Sequence, residues 1–349
     1  MPGRLRHGGA EIVFLEHGRD AHLSVPCHAQ ASDGALTVEK IAGHPALYGC
    51  LQEQARLMLQ AYEGNPRLSS VFATQQRWLM GQSALALYFR ARLAGRGATF
   101  SAARFFEFVA EHKVASRNTA DAFVKEMLHY NYVRHVDGAA DRRTRPLEPT
   151  QTSIEAIHGW LAIHLSTLDK LDGGDRLQSF LAQPEAIAEL QPRIADGLLC
   201  SPQVRQPERT FSLFTWLDNG GVVMEWLIAG IGEAKADTER LPTGIASIAE
   251  MADWLKLSRT HLARKLREAE ELGSIGWLGK RGHSTMWVSQ TFRREFAEAQ
   301  AVKLAIIDAA FGESFRRGAR APRPVPVEKH PEIVRAQGAL QIDPGVSLS

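Results

Sequence analysis

The chain has 349 residues, enough for two or three domains with proper cores. Hydrophobic residues make up 44%, charged residues 23%, and the formal net charge is +2. That is an ordinary globular composition, and it excludes a global polycation, so any nucleic-acid contact must rest on local patches.

No stretch of about 18 apolar residues occurs, so no membrane-spanning helix is expected. The opening MPGRLRHGGAEIVFLEHGRD has no continuous apolar region, so no signal peptide is expected. Cys27, Cys50 and Cys200 are scattered and odd in number. They argue against a disulfide framework and for a reducing compartment, the cytoplasm.

Residues 1–43 carry Gly, His and Ala without sustained periodicity and read as a flexible N-terminal arm, with a short strand at Ile12–Leu15. A helix follows from Pro45, with Leu47, Leu51, Ala55, Met58, Leu59 and Tyr62 on one side. Gly64-Asn65-Pro66 stops it. A second helix runs from Ser70 to Leu93, with Phe72, Leu79, Leu85, Tyr88, Phe89 and Leu93 as candidate core. Ser101–His112 is a third amphipathic helix, and Ser116 caps a fourth that ends near Tyr130. A strand at Tyr132–Val136, a loop rich in Gly, Ala, Asp and Arg, and a strand near Arg145–Leu147 make a hairpin with a basic tip. Thr152-Ser153-Ile154-Glu155 is a cap signature for a helix to about Leu171, and Gly173-Gly174 separates the halves.

The second half repeats this plan. Helices are expected at Pro184–Leu199 and Phe211–Ile231, with Pro202 and Pro207 between them. Ser247–Lys256 and Ser258–Leu272 form a helix-turn-helix, and Trp277–Val288 forms a hairpin around Gly279-Lys280-Arg281-Gly282. A last helix spans Thr291–Phe311, and residues 318–349 form a disordered Pro/Arg-rich tail. One constant offset relates Ser116-Arg117 to Ser258-Arg259, Phe72 to Phe214, Phe123 to Lys265 and Val133 to Ile275. Upstream, a slightly shorter offset relates Pro45 to Pro184 and Leu51 to Leu190. Any two helical domains share some apolar spacing, but the matching order of elements favours an internal duplication.

These pieces predict a mainly α fold with small β-hairpin wings. Two winged helix-turn-helix lobes, residues 44–173 and 174–317, would sit on a helical scaffold as an intrachain pseudo-dimer. At Ser116-Arg117-Asn118-Thr119, at Asp141-Arg142-Arg143-Thr144-Arg145 and at Pro149-Thr150 the chain resembles the MarR family of bacterial transcriptional regulators. The resemblance covers residues 45–171 and, more weakly, 184–311. The second hairpin, GKRGHS, lacks the Asp-Arg-Arg pattern. Family members are usually single-repeat homodimers, so two repeats imply one chain doing what two usually do, as a monomeric pseudo-dimer or a homodimer. The resemblance implies a transcriptional regulator of double-stranded DNA, with a small-molecule effector as a further expected partner.

In a helix-turn-helix the second helix enters the major groove, where Arg can hold guanine and Asn adenine. Candidate contacts are Ser116, Arg117, Asn118, Thr119 and Lys125 in the first repeat, and Ser258, Arg259, Thr260, His261, Arg264 and Arg267 in the second. Asp121 sits badly beside phosphate, so the first repeat is expected to bind less tightly. The hairpins add Arg142, Arg143 and Arg145, and Lys280, Arg281 and His283, suited to a narrow minor groove. Residues 256–283 hold seven Lys/Arg against three acidic residues, the more basic of the two surfaces. A solvated helix face or basic loop would look the same singly; two at matching offsets favour DNA.

Trp78, Tyr88, Trp216 and Trp226 are either core or the lining of an effector cleft. The cysteines are either incidental or oxidant-sensing. No HExxH, Walker A, GxSxG or paired CxxC pattern occurs, and the 13 His show no metal spacing. No enzyme, metal or cofactor is therefore expected. Two other readings stay open: a plasmid replication initiator with two winged helices, and a winged-helix protein-interaction module.

Overall fold

The computed structural model describes residues 35–318, except 73, 96, 98, 137–144, 208, 216, 218 and 233–237. The described chain is mainly helical with two small antiparallel sheets. Its first half runs α1 (Val38–Ala42), α2 (Leu47–Gly64), α3 (Pro66–Val71), α4 (Gln75–Leu93), α5 (Ala102–Glu111), α6 (Arg117–His129), β1 (Val133–His135), β2 (Leu147–Pro149) and α7 (Gln151–Asp172). Its second half runs α8 (Arg176–Ala182), α9 (Ile187–Cys200), α10 (Pro202–Arg205), α11 (Arg209–Thr215), α12 (Gly220–Ala229), β3 (Arg240–Pro242), α13 (Ile248–Trp254), α14 (Arg259–Glu271), β4 (Ile275–Trp277), β5 (Met286–Ser289) and α15 (Gln290–Gly318).

The two halves pack by exchange. α2 lies against α12 and α7, and α9 lies against α4 and α15. α1 docks on α15, α8 docks on α7, and α7 meets α15 between them. The helix starts are held by matching carboxylates. Asp308 accepts from Leu36 N at 2.6 Å, and Asp169 accepts from Arg176 N at 2.9 Å and Leu177 N at 2.8 Å. Asp169 and Asp308 are related by the same offset as Pro45 and Pro184. Arg176 joins the halves through Nη2 to Asp172 of α7 at 2.7 Å, while its Nε binds Asp308 of its own half at 2.6 Å. One continuous apolar core runs through both halves and includes Phe89, Phe105, Phe180, Phe214, Phe292 and Phe296. Burying a side chain of this size contributes about 1.5–3 kcal/mol.

Several elements differ from the sequence expectation. The supposed arm ends in an ordered helix: Thr37 caps α1, and Ile41 is buried against the core. The strand expected at Ile12–Leu15 and the tail 319–349 lie outside the described residues. The helix expected from Ser70 begins instead at Gln75, because the Thr74 side chain accepts from Arg77 N and caps it there. α7 starts at Gln151, ahead of the expected signature. The Thr150 hydroxyl donates to Asn131 O at 2.9 Å and that of Ser153 to Tyr132 O at 2.7 Å, which pins the helix to the chain before β1.

The run Phe211–Ile231 is two helices. Asn219 takes a left-handed φ of 56°, and a Cβ on Gly220 would lie 1.7 Å from Phe214 O. The last helix reaches Gly318, beyond Phe311. The hairpin strands are three and four residues long, and β4 ends where the hairpin was expected to start. A third strand, β3, pairs with β5 and completes the order β3-β5-β4. In the first half a single bridge, Phe100 to Leu147, holds the same place.

Candidate nucleic-acid interface

Helices α6 and α14 are equal in length and built alike. Ser116 Oγ accepts from Thr119 N at 3.2 Å, and Ser258 Oγ accepts from His261 N at 3.5 Å. The turn before each helix closes in the same way. Val114 N donates to Val109 O at 2.8 Å and Leu257 N to Ala252 O at 2.9 Å, with Lys113 and Lys256 at φ 52° and 54°. The turn after each also matches: Tyr132 N donates to Met127 O and Ser274 N to Ala269 O, past Asn131 and Gly273 at positive φ. One face of each helix is buried, Ala120, Phe123, Val124 and Met127 on α6 and Leu262, Leu266 and Ala269 on α14. The opposite faces meet solvent because the apolar residues repeat at helical spacing.

The outward faces are unequal. On α14, Arg259, Thr260, Arg264 and Arg267 are exposed and His261 is half-buried. Arg264 reaches Glu268 only at 3.7 Å. Lys280 and His283 are exposed at the β4–β5 tip. A cleft of about 420 Å³ opens between the start of α13, the start of α14 and this tip, lined among others by Ser247, Arg259, Ala263, Arg281 and His283.

On α6 the polar groups are engaged. Ser258 has a single cap contact, whereas Ser116 Oγ also pairs with Thr119 Oγ1 at 2.9 Å. Arg117 lies over the Phe106 ring at 5.2 Å, and Lys125 pairs with Asp121 at 2.7 Å. Asn118 is exposed. Arg145 is exposed with φ 39°, and Arg142 and Arg143 lie outside the described residues. Arg134, on β1, pairs across the hairpin with Glu148 at 2.8 Å.

Arg281, expected as a direct contact, is engaged within the protein. Its Nε binds both oxygens of Glu270 at 2.9 and 3.0 Å, and its Nη2 donates to Ala263 O at 3.0 Å. Trp277 Nε1 donates to the same Glu270 at 3.1 Å. The sequence reading missed Glu270, Trp277 and Arg240, whose guanidinium lies 4.5 Å from the Trp287 ring. A tryptophan at each end of a short hairpin was the available signal.

The inner aromatics pack on other rings. Trp78 is 6.2 Å from Trp160, Tyr88 is 5.0 Å from Phe89, and Trp226 is 4.7 Å from Trp254. Trp216 lies outside the described residues. Burial pushes the Cys50 thiol up, away from the reactive thiolate. Cys200 ends α9, and Cys27 lies outside the described residues. Among the described residues no His, Cys, Asp and Glu cluster has the make-up of a metal site, and no helix is long and apolar enough to cross a membrane. No family model, curated protein or solved structure matches the chain.

Proposed function

We propose that this chain is a cytoplasmic, sequence-specific double-stranded DNA-binding protein that regulates transcription. The observation that carries the reading is the repeated unit itself. Two serine-capped helices of equal length recur, one in each half, each behind the same tight turn and each ahead of a short hairpin. We read α5–α6 and α13–α14 as helix-turn-helix pairs, the hairpins as wings, and the exchanged packing as an intrachain pseudo-dimer.

In this reading α6 and α14 enter successive major grooves, and their first residues meet base edges. Arg259 and Arg264 are suited to guanine, and Asn118 to adenine. Lys280, His283 and Arg145 reach phosphate or the adjacent minor groove. The second lobe anchors the complex, because it presents more exposed cations, Arg259, Arg264, Arg267 and Lys280. The preferred site is accordingly an imperfect palindrome.

The test is selection from a random duplex library with the affinity of the winners followed across salt. A two-part site with a steep salt slope supports the reading, and the slope counts the phosphates neutralised. No enrichment with a flat salt response overturns it and favours a protein-interaction module. The unequal lobes also suit a replication initiator on directly repeated sites. Selected half-sites in direct orientation would favour that second reading.

A further inference from the structure

One carboxylate fastens the β4–β5 hairpin to α14. Glu270, near the end of that helix, accepts from Arg281 through both oxygens and from Trp277 Nε1. Arg281 also reaches back to Ala263 O, in the middle of the helix. The Arg281 and Glu270 side chains are 34% and 21% exposed. Arg281 Nε–H is shared between the two oxygens, a charge-assisted contact that partial desolvation makes firmer than a fully exposed ion pair. The loop beyond is closed on itself, since Ser284 Oγ accepts from Gly279 N at 2.9 Å and donates to Lys280 O at 3.0 Å. The tip so fixed presents Lys280, His283 and Leu278, the last 65% exposed.

In the first half, the offset that relates Ser116 to Ser258 puts Leu128 where Glu270 stands and His135 where Trp277 stands. A carboxylate therefore has no counterpart at that place. The latch belongs to the half whose helix carries the exposed arginines.

We infer that Glu270 is a positioning residue for DNA reading, an inference that rests on the DNA-binding function proposed above. By holding Arg281 and Trp277 it sets the distance and angle between α14 and the hairpin tip. Base contacts from the helix and groove contacts from the tip are then made in one register. Arg281 acts within the protein, and Lys280 and His283 do the reaching. The rival role is a DNA-contacting Arg281 that Glu270 restrains. The two make opposite predictions: without the carboxylate, a latched hairpin loses register and a restrained arginine binds better.

The experiment uses the full chain and a duplex selected by the unaltered protein. Glu270→Gln, Arg281→Lys and the exchange Glu270→Arg with Arg281→Glu are compared by affinity across salt and by hydroxyl-radical footprint. Thermal melting checks that each variant folds. Glu270→Gln should weaken binding about tenfold and make the salt slope shallower by about one phosphate. Its footprint should keep the major-groove core and lose the flanking protection. The exchange variant restores the ion pair but not the Trp277 and Ala263 contacts, so it should recover part of both. A Glu270→Gln chain that binds more tightly, or that keeps the whole footprint, overturns the inference while leaving the DNA reading intact. An unaltered chain that selects no duplex overturns both.

Discussion

Three titratable residues meet where the halves join, and their protonation is set by burial. His164 on α7 and Lys303 on α15 are related by the same offset as Pro45 and Pro184. His164 is fully buried; its Nδ1 donates to Trp160 O at 2.7 Å, and among the described residues its Nε2 has no hydrogen-bond partner. Burial first, and the Lys303 charge second, hold it well below the ordinary histidine value, so it is neutral. Glu225 on α12 and Lys303 are half-buried. Burial raises the Glu225 carboxyl and lowers the Lys303 ammonium, and each charge opposes the shift of the other.

The pH consequences differ in sign. Lys303 binds fewer protons folded than unfolded just below its ordinary 10.5, so its contribution rises as pH climbs through that window. Glu225 binds more protons folded than unfolded above its ordinary 4.5, so its contribution falls as pH climbs from there. His164 favours folding above its ordinary 6.5 and ceases to as pH drops through it. Replacing both partners, Lys303→Met with Glu225→Gln, should therefore remove an alkaline rise in Tm relative to the unaltered chain. Melting curves from about pH 8 to 10.5 measure it, and an unchanged pH profile would refute the buried pair.

Gly276 gives a second test at this scale. A Cβ there would lie 2.2 Å from Trp287 Cζ2, in the middle of the hairpin sheet. Gly276→Ala should cost about 1–3 kcal/mol, as overpacking does. Denaturant unfolding reads it directly, and a loss under about 0.5 kcal/mol would mean that the indole has room to move.

At the scale of elements, α6 and α14 should contribute unequally to binding. The Arg117 guanidinium is already over Phe106, and Lys125 is paired with Asp121. Among the described residues no ion pair is formed by Arg259 or Arg267. Arg259→Ala should therefore weaken duplex binding by about 1–3 kcal/mol and relax preference at one base pair. Arg117→Ala should do less. Titration of the selected duplex with each variant decides it, and equal losses would mean that both helices bear on DNA alike.

What was legible in these elements follows from what is local. The serines before α6 and α14, and the buried leucines and phenylalanines at helical spacing, are written within a single helix. The spacing from Ser116 to Ser258 was readable for the same reason, and each serine caps a helix of the same length between like turns. Other features depend on distant partners. β3 is three residues, Arg-Leu-Pro, without alternation, and it is a strand only because β5 pairs with it. The break at Asn219 sits in a continuous apolar run and answers to tertiary hydrogen bonds. Its amide donates to Leu255 O at 2.9 Å and to Tyr62 Oη at 3.3 Å. Arg281 read as a surface cation because Glu270, on the preceding helix, could not be seen to face it.

At the scale of the whole molecule, the spacing of the two helices depends on how the halves are joined. Arg176 and Asp308, both of the second half, are 11% and 5% exposed and bind each other, and Arg176 also reaches Asp169 and Asp172 on α7 of the first half. Asp308 also holds Leu36 N ahead of α1, so one carboxylate serves both halves. Breaking a buried pair leaves a charge in a poor medium and costs about 3–5 kcal/mol. Arg176 keeps Asp169 and Asp172, which places the loss for Asp308→Ala near the lower end, about 3 kcal/mol. Because one core runs through both halves, the loss should appear as a single shifted transition. Under the DNA-binding function proposed above, the consequence is geometric. Recognition helices held as in a dimer meet half-sites roughly 34–36 Å apart, one turn of B-DNA. Inserting about five base pairs between selected half-sites turns one groove to the far side of the duplex, so the joined chain should lose most of its affinity. Asp308→Ala, measured below its own melting temperature, should tolerate that insertion better than the unaltered chain. Equal discrimination by the two chains would mean that the apolar core holds the spacing without the ion pair.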